Sequence, residues 1–163
     1  MTEAQSHQRP LYSIEVRAAT EVEIRGARAC LSEHAIETGG VVPGPTSGIA
    51  WTMWDDDQAF AVLAVSQALV VGGLIGKIFW NWMDAELVWI EKPFRGCGIG
   101  KEVLQKAEQT ARDRCLTGIC LWTASWQAPD FYRKLGFEQF AEFDNFPPGR
   151  KRIGFRKYLQ SAA

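Results

Sequence analysis

Apolar and polar residues alternate from Leu11 to Ala18 (LYSIEVRA), the period of a half-buried strand, and Thr20 stands where it can cap a helix running to about Glu37. The Gly39-Gly40 pair stops that helix. The run Val41–Gly48 (VVPGPTSG) carries two prolines and two glycines and predicts a surface loop placed to cover a pocket. Ala59–Val65 and Leu69–Trp80 then read as neighbouring strands. Trp80-Asn81-Trp82 reads as a turn and Glu86–Glu91 as the next strand, which together make an antiparallel meander. Ser66-Gln67-Ala68, between the first two of these strands, lacks the Asp/Gly chemistry of a tight hairpin.

From Gly96 to Cys115 the period changes. Ile99, Val103, Ala107, Ala111 and Cys115 recur every four residues with Leu104 beside them, and Lys101, Glu102, Gln105, Lys106, Glu108, Gln109 and Arg112 fill the other side. This is an amphipathic helix laid on a sheet. Its i,i+4 pairs Glu102/Lys106 and Glu108/Arg112 contribute only ~0.2–0.5 kcal/mol each, so packing must hold it. Gly118–Thr123 is the next strand, and Ala128–Leu135 is a short helix with Pro129 in its first turn and Gly136 just past its end. Two last strands, about Phe137–Phe143 and Arg152–Leu159, flank the turn Phe146-Pro147-Pro148-Gly149.

At 163 residues, with 47% hydrophobic and 23% charged residues, the chain is expected to form one α/β domain over residues 1–163, with 1–10 as a flexible tail. Eighteen basic against 19 acidic residues give no global drive toward nucleic acid or an anionic membrane, so any anion site must be local. The uncharged stretch Gln58–Gly76 is broken by Ser66-Gln67 and by Gly72, Gly73 and Gly76, which suits two core strands rather than a membrane span. Cys30, Cys97, Cys115 and Cys120 form no C-x-x-C pair and no zinc-spaced cluster with His7 or His34. No metal is expected, and a reduced, cytoplasmic protein is; Met1–Pro10 shows no secretory pattern.

The chemistry is concentrated where the helical period begins. A strand, then Arg95-Gly96-Cys97-Gly98-Ile99-Gly100, then an amphipathic helix is the arrangement of a phosphate cradle: glycines let the backbone approach an anion, and helix N-terminal amides point at it. Glycine at a helix entry also serves simple packing against a strand. The turn is not a P-loop, because Glu102 follows Gly100-Lys101, and not G-x-G-x-x-G, because Val103 stands where the third glycine belongs.

Arg95–Gly100 resembles the R-x-x-G-x-G/A pyrophosphate loop of the GNAT superfamily of N-acetyltransferases, and Ala128–Phe137 (APDFYRKLGF) resembles its second signature, in the right order and separation. Val88-Trp89-Ile90 and Gln127–Tyr132 through Asn145–Gly149 are similar to a branch of small stand-alone bacterial acetyltransferases. The likeness runs from about Gly72 to Leu159; before Ala59 it is one of element order only.

This resemblance implies a central mixed, mostly antiparallel sheet splayed between two strands, with helices on both faces and acetyl coenzyme A in the opening between Glu86–Glu91 and Gly118–Thr123. The amides of Cys97, Gly98, Ile99 and Gly100, in the turn begun by Gly96, would hold the pyrophosphate, with Arg95 and Lys101 nearby. Trp89, Ile90 and Glu91 would run beside the pantetheine as a pseudo-strand. Tyr132 falls on the tyrosine that in many members protonates the departing thiolate; from the residues alone, an aromatic tucked under the sheet is the competing assignment. Ser125 replaces a cofactor-contacting asparagine, and Arg150 stands where the related branch often has histidine. Glu86, with Glu91 behind it, is the candidate base.

The activity implied is acetyl transfer from acetyl coenzyme A to the primary amine of a small molecule by direct attack. Alternatives are a catalytically silent acyl-coenzyme A sensor and a protein lysine or N-terminal acetyltransferase; a homodimer fits the family. Outside the motifs, Cys97 is read as either a reactive thiol or an inert residue shielded by cofactor, and His34 as a helix or core histidine. Trp51, Trp54, Trp80, Trp82 and Trp126 are candidates for an acceptor pocket or for core, and Lys151, Arg152, Arg156 and Lys157 for a solvated strand face.

Overall fold

A computed structural model of the chain describes residues 10–38 and 59–159; Gly39-Gly40, the Val41–Gly48 loop, Trp51, Trp54 and His7 lie outside the described residues. Strands β1 (Ser13–Arg17), β2 (Ala59–Ser66), β3 (Leu69–Phe79), β4 (Trp82–Ile90), β5 (Gly118–Ala124), β6 (Glu138–Asp144) and β7 (Lys151–Tyr158) form one sheet. Its order is β1-β2-β3-β4-β5-β7-β6. Every neighbouring pair is antiparallel except β4 with β5. The helices are α1 (Glu21–Glu37), α2 (Ile99–Asp113) and α3 (Pro129–Lys134).

The meander β2–β4 is the one expected, with a correction at β4, which starts at Trp82 rather than Glu86, and β1 extends it by pairing with β2. Trp80 and Asn81 both have positive φ (44° and 64°) and make a two-residue turn, and Gln67 and Ala68 (49° and 64°) do the same between β2 and β3. The second turn forms without glycine or asparagine because two long, paired strands impose it. β7 returns between β5 and β6, a placement that strand-by-strand periodicity does not carry.

α1 begins with the expected cap: the Thr20 hydroxyl accepts from the Glu23 amide (3.2 Å) and the Glu23 carboxylate accepts from the Thr20 amide (2.7 Å). Arg17 at the end of β1 pairs with the same carboxylate (2.7 Å) and holds it down at about 2, so strand end and helix start are tied together. Thr20→Ala is expected to cost about 1 kcal/mol, within the range for lost helix caps, read as a lower denaturant midpoint at unchanged slope.

The two faces of the sheet are covered by different helices. α2 buries Ile99, Val103, Leu104, Ala107 and Ala111 against Phe60, Val62, Leu74, Met83 and Ile119. α1 buries Ala27 and Cys30 on the opposite face, against Ala61, Leu63, Ile75 and Trp89. α3 lies on the α2 side, where Tyr132 joins the larger core.

The parallel pairing of β4 with β5 covers only Trp82↔Gly118 to Ala85↔Leu121. Beyond that rung the strands part. At the same level β4 carries a bulge: Gly76 pairs with Ala85 and Ile75 with Leu87, leaving Glu86 as the extra residue. The bulge flips the side-chain phase, so Met83 and Ala85 join the α2-side core while Leu87 and Trp89 pack on the α1 side. A splayed, mostly antiparallel sheet with helices on both faces is therefore what this sequence folds into.

Candidate active site

The parting of β4 and β5 opens a cleft of about 460 Å³ that passes between the two covering layers, from Cys30 and His34 of α1 to Phe131 and Tyr132 of α3. Its mouth is the β4–α2 turn. Gly96 and Gly98 have φ of +74° and +85°, and a Cβ at either would meet nothing within 4 Å. Those glycines are there for backbone conformation, not packing. Gly98 is the N-cap of α2 and no side chain caps the helix; its first helical bond runs from the Glu102 amide to the Gly98 carbonyl (3.2 Å). The amides of Ile99, Gly100 and Lys101 are thus left free, with the positive end of the helix dipole, at the cleft. Gly100 serves closeness instead: a Cβ there would stand 3.2 Å from the Phe131 ring, so α2 and α3 pack tightly on that side. Cys97, whose thiol lies 3.6 Å from the Arg95 carbonyl, packs toward the α2-side core.

Arg95 does more bonding within the protein than its expected role required. Its Nε donates to the Ile90 carbonyl (2.9 Å), and its other nitrogens reach Cys30 Sγ (3.7 Å), His34 Nδ1 (3.4 Å) and Glu37 (3.4 Å). It pins the end of β4 to α1 and so fixes the shape of the cleft mouth, with His34 lining the same wall. Burial pushes the Cys30 thiol above its usual range, which keeps it a neutral partner there. Lys101 is the exposed cation of the cradle.

Along β4 the expected trio divides. The Glu91 amide donates to Val71 (2.9 Å), so by strand alternation the amides of Trp89 and Glu91 face β3, and those of Val88 and Ile90 face the opening. Trp89 is buried against α1 at 4% exposure. The free backbone edge therefore belongs to Val88 and Ile90, with Trp89 supporting it from behind.

On the β5 side the structure puts Ser125 elsewhere. Its hydroxyl accepts from the Lys151 amide (3.2 Å) and its own amide donates to the Lys151 carbonyl (2.9 Å), so it stitches β5 to the start of β7. The polar wall of the cleft is carried by Thr123 and Gln127: the Thr123 hydroxyl donates to Gln127 Oε1 (2.9 Å), which also accepts from the Ala124 amide (3.0 Å). Two positions downstream of the family's asparagine, Gln127 was the available signal.

Tyr132 lines the cleft and is 8% exposed, with ring contacts to Phe131, Phe137 and Phe155 at 5.3–6.0 Å. Burial raises its phenol well above the ordinary value, so it is protonated at neutral pH. It is a core aromatic that also lines the cleft.

Glu86 stands on the bulge, on the face away from α2, 3.8 Å from Lys77. Beside it is a carboxylate that the sequence did not single out. Asp84 pairs with Lys77 on β3 and Cys120 on β5, and Cys120 Sγ donates to its Oδ1 at 3.8 Å. Burial, and then the charge of Glu86, push it up to about 6.

Of the tryptophans read as pocket or core candidates, Trp80, Trp82 and Trp126 do not line the cleft. Trp80 is 76% exposed at the β3–β4 turn, and Trp82 packs over Gly118 and edge-on to Tyr158 (5.1 Å). Arg150 lies over Trp126 at 5.7 Å. The basic strand is also not a bare solvated face. Lys151 pairs with Glu142 (2.6 Å), Lys157 with Glu108 (2.7 Å), and Arg152 and Arg156 lie over the rings of Trp122 and Phe140. Trp122, with Phe143 stacked on it at 5.4 Å, forms an aromatic floor across β5, β7 and β6 on the Asp84 face.

Comparison with known proteins agrees with this architecture. The model of the acetyltransferase (GNAT) domain matches residues 48–139. A blasticidin-S acetyltransferase of Streptomyces morookaense is 35% identical over 82 residues, covering 49% of this chain and 60% of that protein. The chain thus spans about 60% of the length of the curated relatives it matches. Among solved structures, a chain described as an acyl-CoA N-acyltransferase of Klebsiella pneumoniae superposes with a TM-score of 0.70 at 21% identity, covering 92% of this chain and 99% of that one. A chain described as a streptothricin acetyltransferase of Bacillus anthracis, solved with acetyl coenzyme A, gives 0.58 at 22% identity, covering 67% and 68%. With the family model matching more than half of the chain and the splayed sheet in place, the chain belongs to the GNAT acetyltransferase family.

Proposed function

We propose that this chain transfers the acetyl group of acetyl coenzyme A to a primary amine of a small molecule by direct attack within a ternary complex. The observation that carries the proposal is the uncapped N-terminus of α2 at the mouth of the splay, flanked by two positive-φ glycines with open space over them. Free amides and a helix dipole stabilise a diphosphate without a lysine-rich site, which suits a chain whose formal charge is −1. The Arg95 bonds to Ile90 and α1 hold that cradle in register with the free edge of β4.

The thioester supplies an activated acyl group; the chain's own residues supply position and proton handling. Outward amides of Val88 and Ile90 are the donors that a pantetheine amide or a developing oxyanion would meet. Tyr132, protonated at neutral pH, gives a proton to the departing sulfur from the α3 side. Proton removal from the acceptor falls to the β4 carboxylates, Glu86 at the bulge and its neighbour Asp84, on the other side of the sheet. A relative named as a blasticidin-S acetyltransferase, and a fold neighbour described as a streptothricin acetyltransferase, favour a small-molecule acceptor.

The test is thiol release from acetyl coenzyme A, followed over a panel of primary amines that includes blasticidin S, with products checked for the mass of one acetyl group. The expected result is release that requires an amine. Saturable cofactor binding with no amine-dependent release would instead favour the silent sensor.

A further inference from the structure

The sheet face away from α2 changes character along its width. Over β2, β3 and β4 it is packed by α1. Over β5, β7 and β6, Phe140, Phe143 and Tyr158 stand exposed. The rungs fix the phase: Leu121, Ile153 and Phe155 belong to the α2-side core, so Cys120 and Trp122 on β5 and Arg152, Gly154 and Arg156 on β7 take the other face. Gly154 serves close approach there. A Cβ on it would stand 3.0 Å from the Phe140 ring and 3.1 Å from the Trp122 ring, so both rings lie down over that bare rung.

The four cations of β7 divide between the two faces. Lys151 and Lys157, on the α2-side phase, pair with Glu142 and Glu108. Arg152 and Arg156, on the open face, meet rings instead: Arg152 lies 5.4 Å from the Trp122 centroid, and Arg156 lies 5.8 Å from Phe140 and 5.2 Å from Tyr158. Trp122 and Phe140 are neighbours at 5.6 Å, so both guanidiniums lean toward the Gly154 rung. Among the described residues neither arginine has an ion pair, although Glu138 is the rung partner of Arg156. Arg156 Nε is buried and has no acceptor. A ring face attracts the charge but takes none of the in-plane N–H bonds, so the protein leaves that donor edge unspent.

We propose that the acceptor is an amine that also bears a carboxylate, and that Arg156 and Arg152 hold this carboxylate over the Trp122–Phe140 floor while the amine end reaches the splay. The inference deepens the acetyl-transfer reading and rests on it. A guanidinium fork matches the two oxygens of a carboxylate, and the surrounding rings keep water from competing. The rows of the sheet put both ends of such a molecule in line. Asp84, Cys120 and Arg156 are successive rung partners on β4, β5 and β7, which sets Asp84 and Arg156 about 10 Å apart at the backbone. The charge of Arg152 is felt at Asp84 as well, where it lowers the proton affinity. Acids on β4 and unpaired guanidiniums on β7 make the face bipolar, which suits a zwitterion better than a plain amine. Asp84, Glu86 and Glu138 oppose a second negative charge, so a carboxylate is favoured over a phosphate dianion.

The test compares para-(aminomethyl)benzoate, its neutral amide and the corresponding phosphonate as acceptors in amine-dependent thiol release, with gamma-aminobutyrate and its amide as a second, flexible pair. The wild type should prefer each carboxylate over its amide by about 10-fold or more in kcat/KM, mostly through KM, with the phosphonate behind the benzoate. Arg156→Met and Arg152→Met should each bring that ratio toward one. Lys151→Met, which removes the same charge from the other face of β7, should keep it. Arg156→Met should also melt no lower than wild type, because methionine takes away a buried donor that lacks an acceptor. The Arg156 Nε–H resonance gives a readout independent of turnover: it should shift and saturate on titration with the benzoate and ignore the amide. Equal use of acid and amide in both pairs, a ratio unmoved in folded Arg156→Met, a preference for the phosphonate, or an Nε–H signal indifferent to the benzoate overturns the inference and leaves acetyl transfer standing. An enzyme that binds acetyl coenzyme A but acetylates no amine overturns the transfer reading, and the Nε–H titration then decides the carboxylate site by itself.

Discussion

Gly98→Asp is expected to weaken acetyl coenzyme A binding by about 100-fold or more while leaving the fold intact. The position has φ +85° and open space around a Cβ, and aspartate is among the residues that tolerate the left-handed region. The cost to folding is therefore confined to the backbone, about 1 kcal/mol. The cost to binding is larger, because a carboxylate at the N-cap takes the place of a diphosphate beside the same free amides, and like charges brought together there cost several kcal/mol. Calorimetry with acetyl coenzyme A and a thermal melt separate the two effects. Unchanged affinity in a folded variant would move the diphosphate away from this turn.

Tyr132→Phe is expected to lower kcat by about 100-fold with little change in cofactor affinity. The ring stays packed against Phe131, Phe137 and Phe155, so only the hydroxyl is lost. Because burial raises the phenol above its ordinary value, the wild-type acid stays protonated across neutral pH, and its falling limb should lie above pH 10. The variant should lose dependence on that group. Full turnover in Tyr132→Phe across the pH range would return Tyr132 to the role of core aromatic alone.

How far the sequence carried these conclusions depends on the range of each interaction. The four-residue recurrence from Ile99 to Ala111 encodes the buried face of α2 directly, and Thr20 with Glu23 encodes its own capping box. Both are local. The glycine turn was legible for the same reason: positive φ at Gly96 and Gly98 is a property of one short segment.

What escaped depends on pairing between strands. The Glu86 bulge exists only in the register of β4 on β3, and without it the side-chain phase puts Trp89 on the wrong face. Ser125 looked like a cleft residue until β7 returned beside β5 and took its hydroxyl. Asp84 went unnoticed because the strand was expected to begin only at Glu86, and Cys120, Arg152 and Lys77, which lower its proton affinity, lie on three other strands. The aromatic floor of Trp122, Phe140 and Phe143 was likewise invisible, being assembled from β5 and β6 across β7.

The central claim is that bare amides at the start of α2 hold the diphosphate of a coenzyme A thioester at the mouth of the splay. Backbone amide NMR during titration with acetyl coenzyme A tests it most directly. The resonances of Gly98, Ile99, Gly100 and Lys101 should shift together, saturate with one affinity and become protected from exchange, with Val88 and Ile90 following. Shifts confined to other parts of the sheet, or none at millimolar ligand, would contradict it.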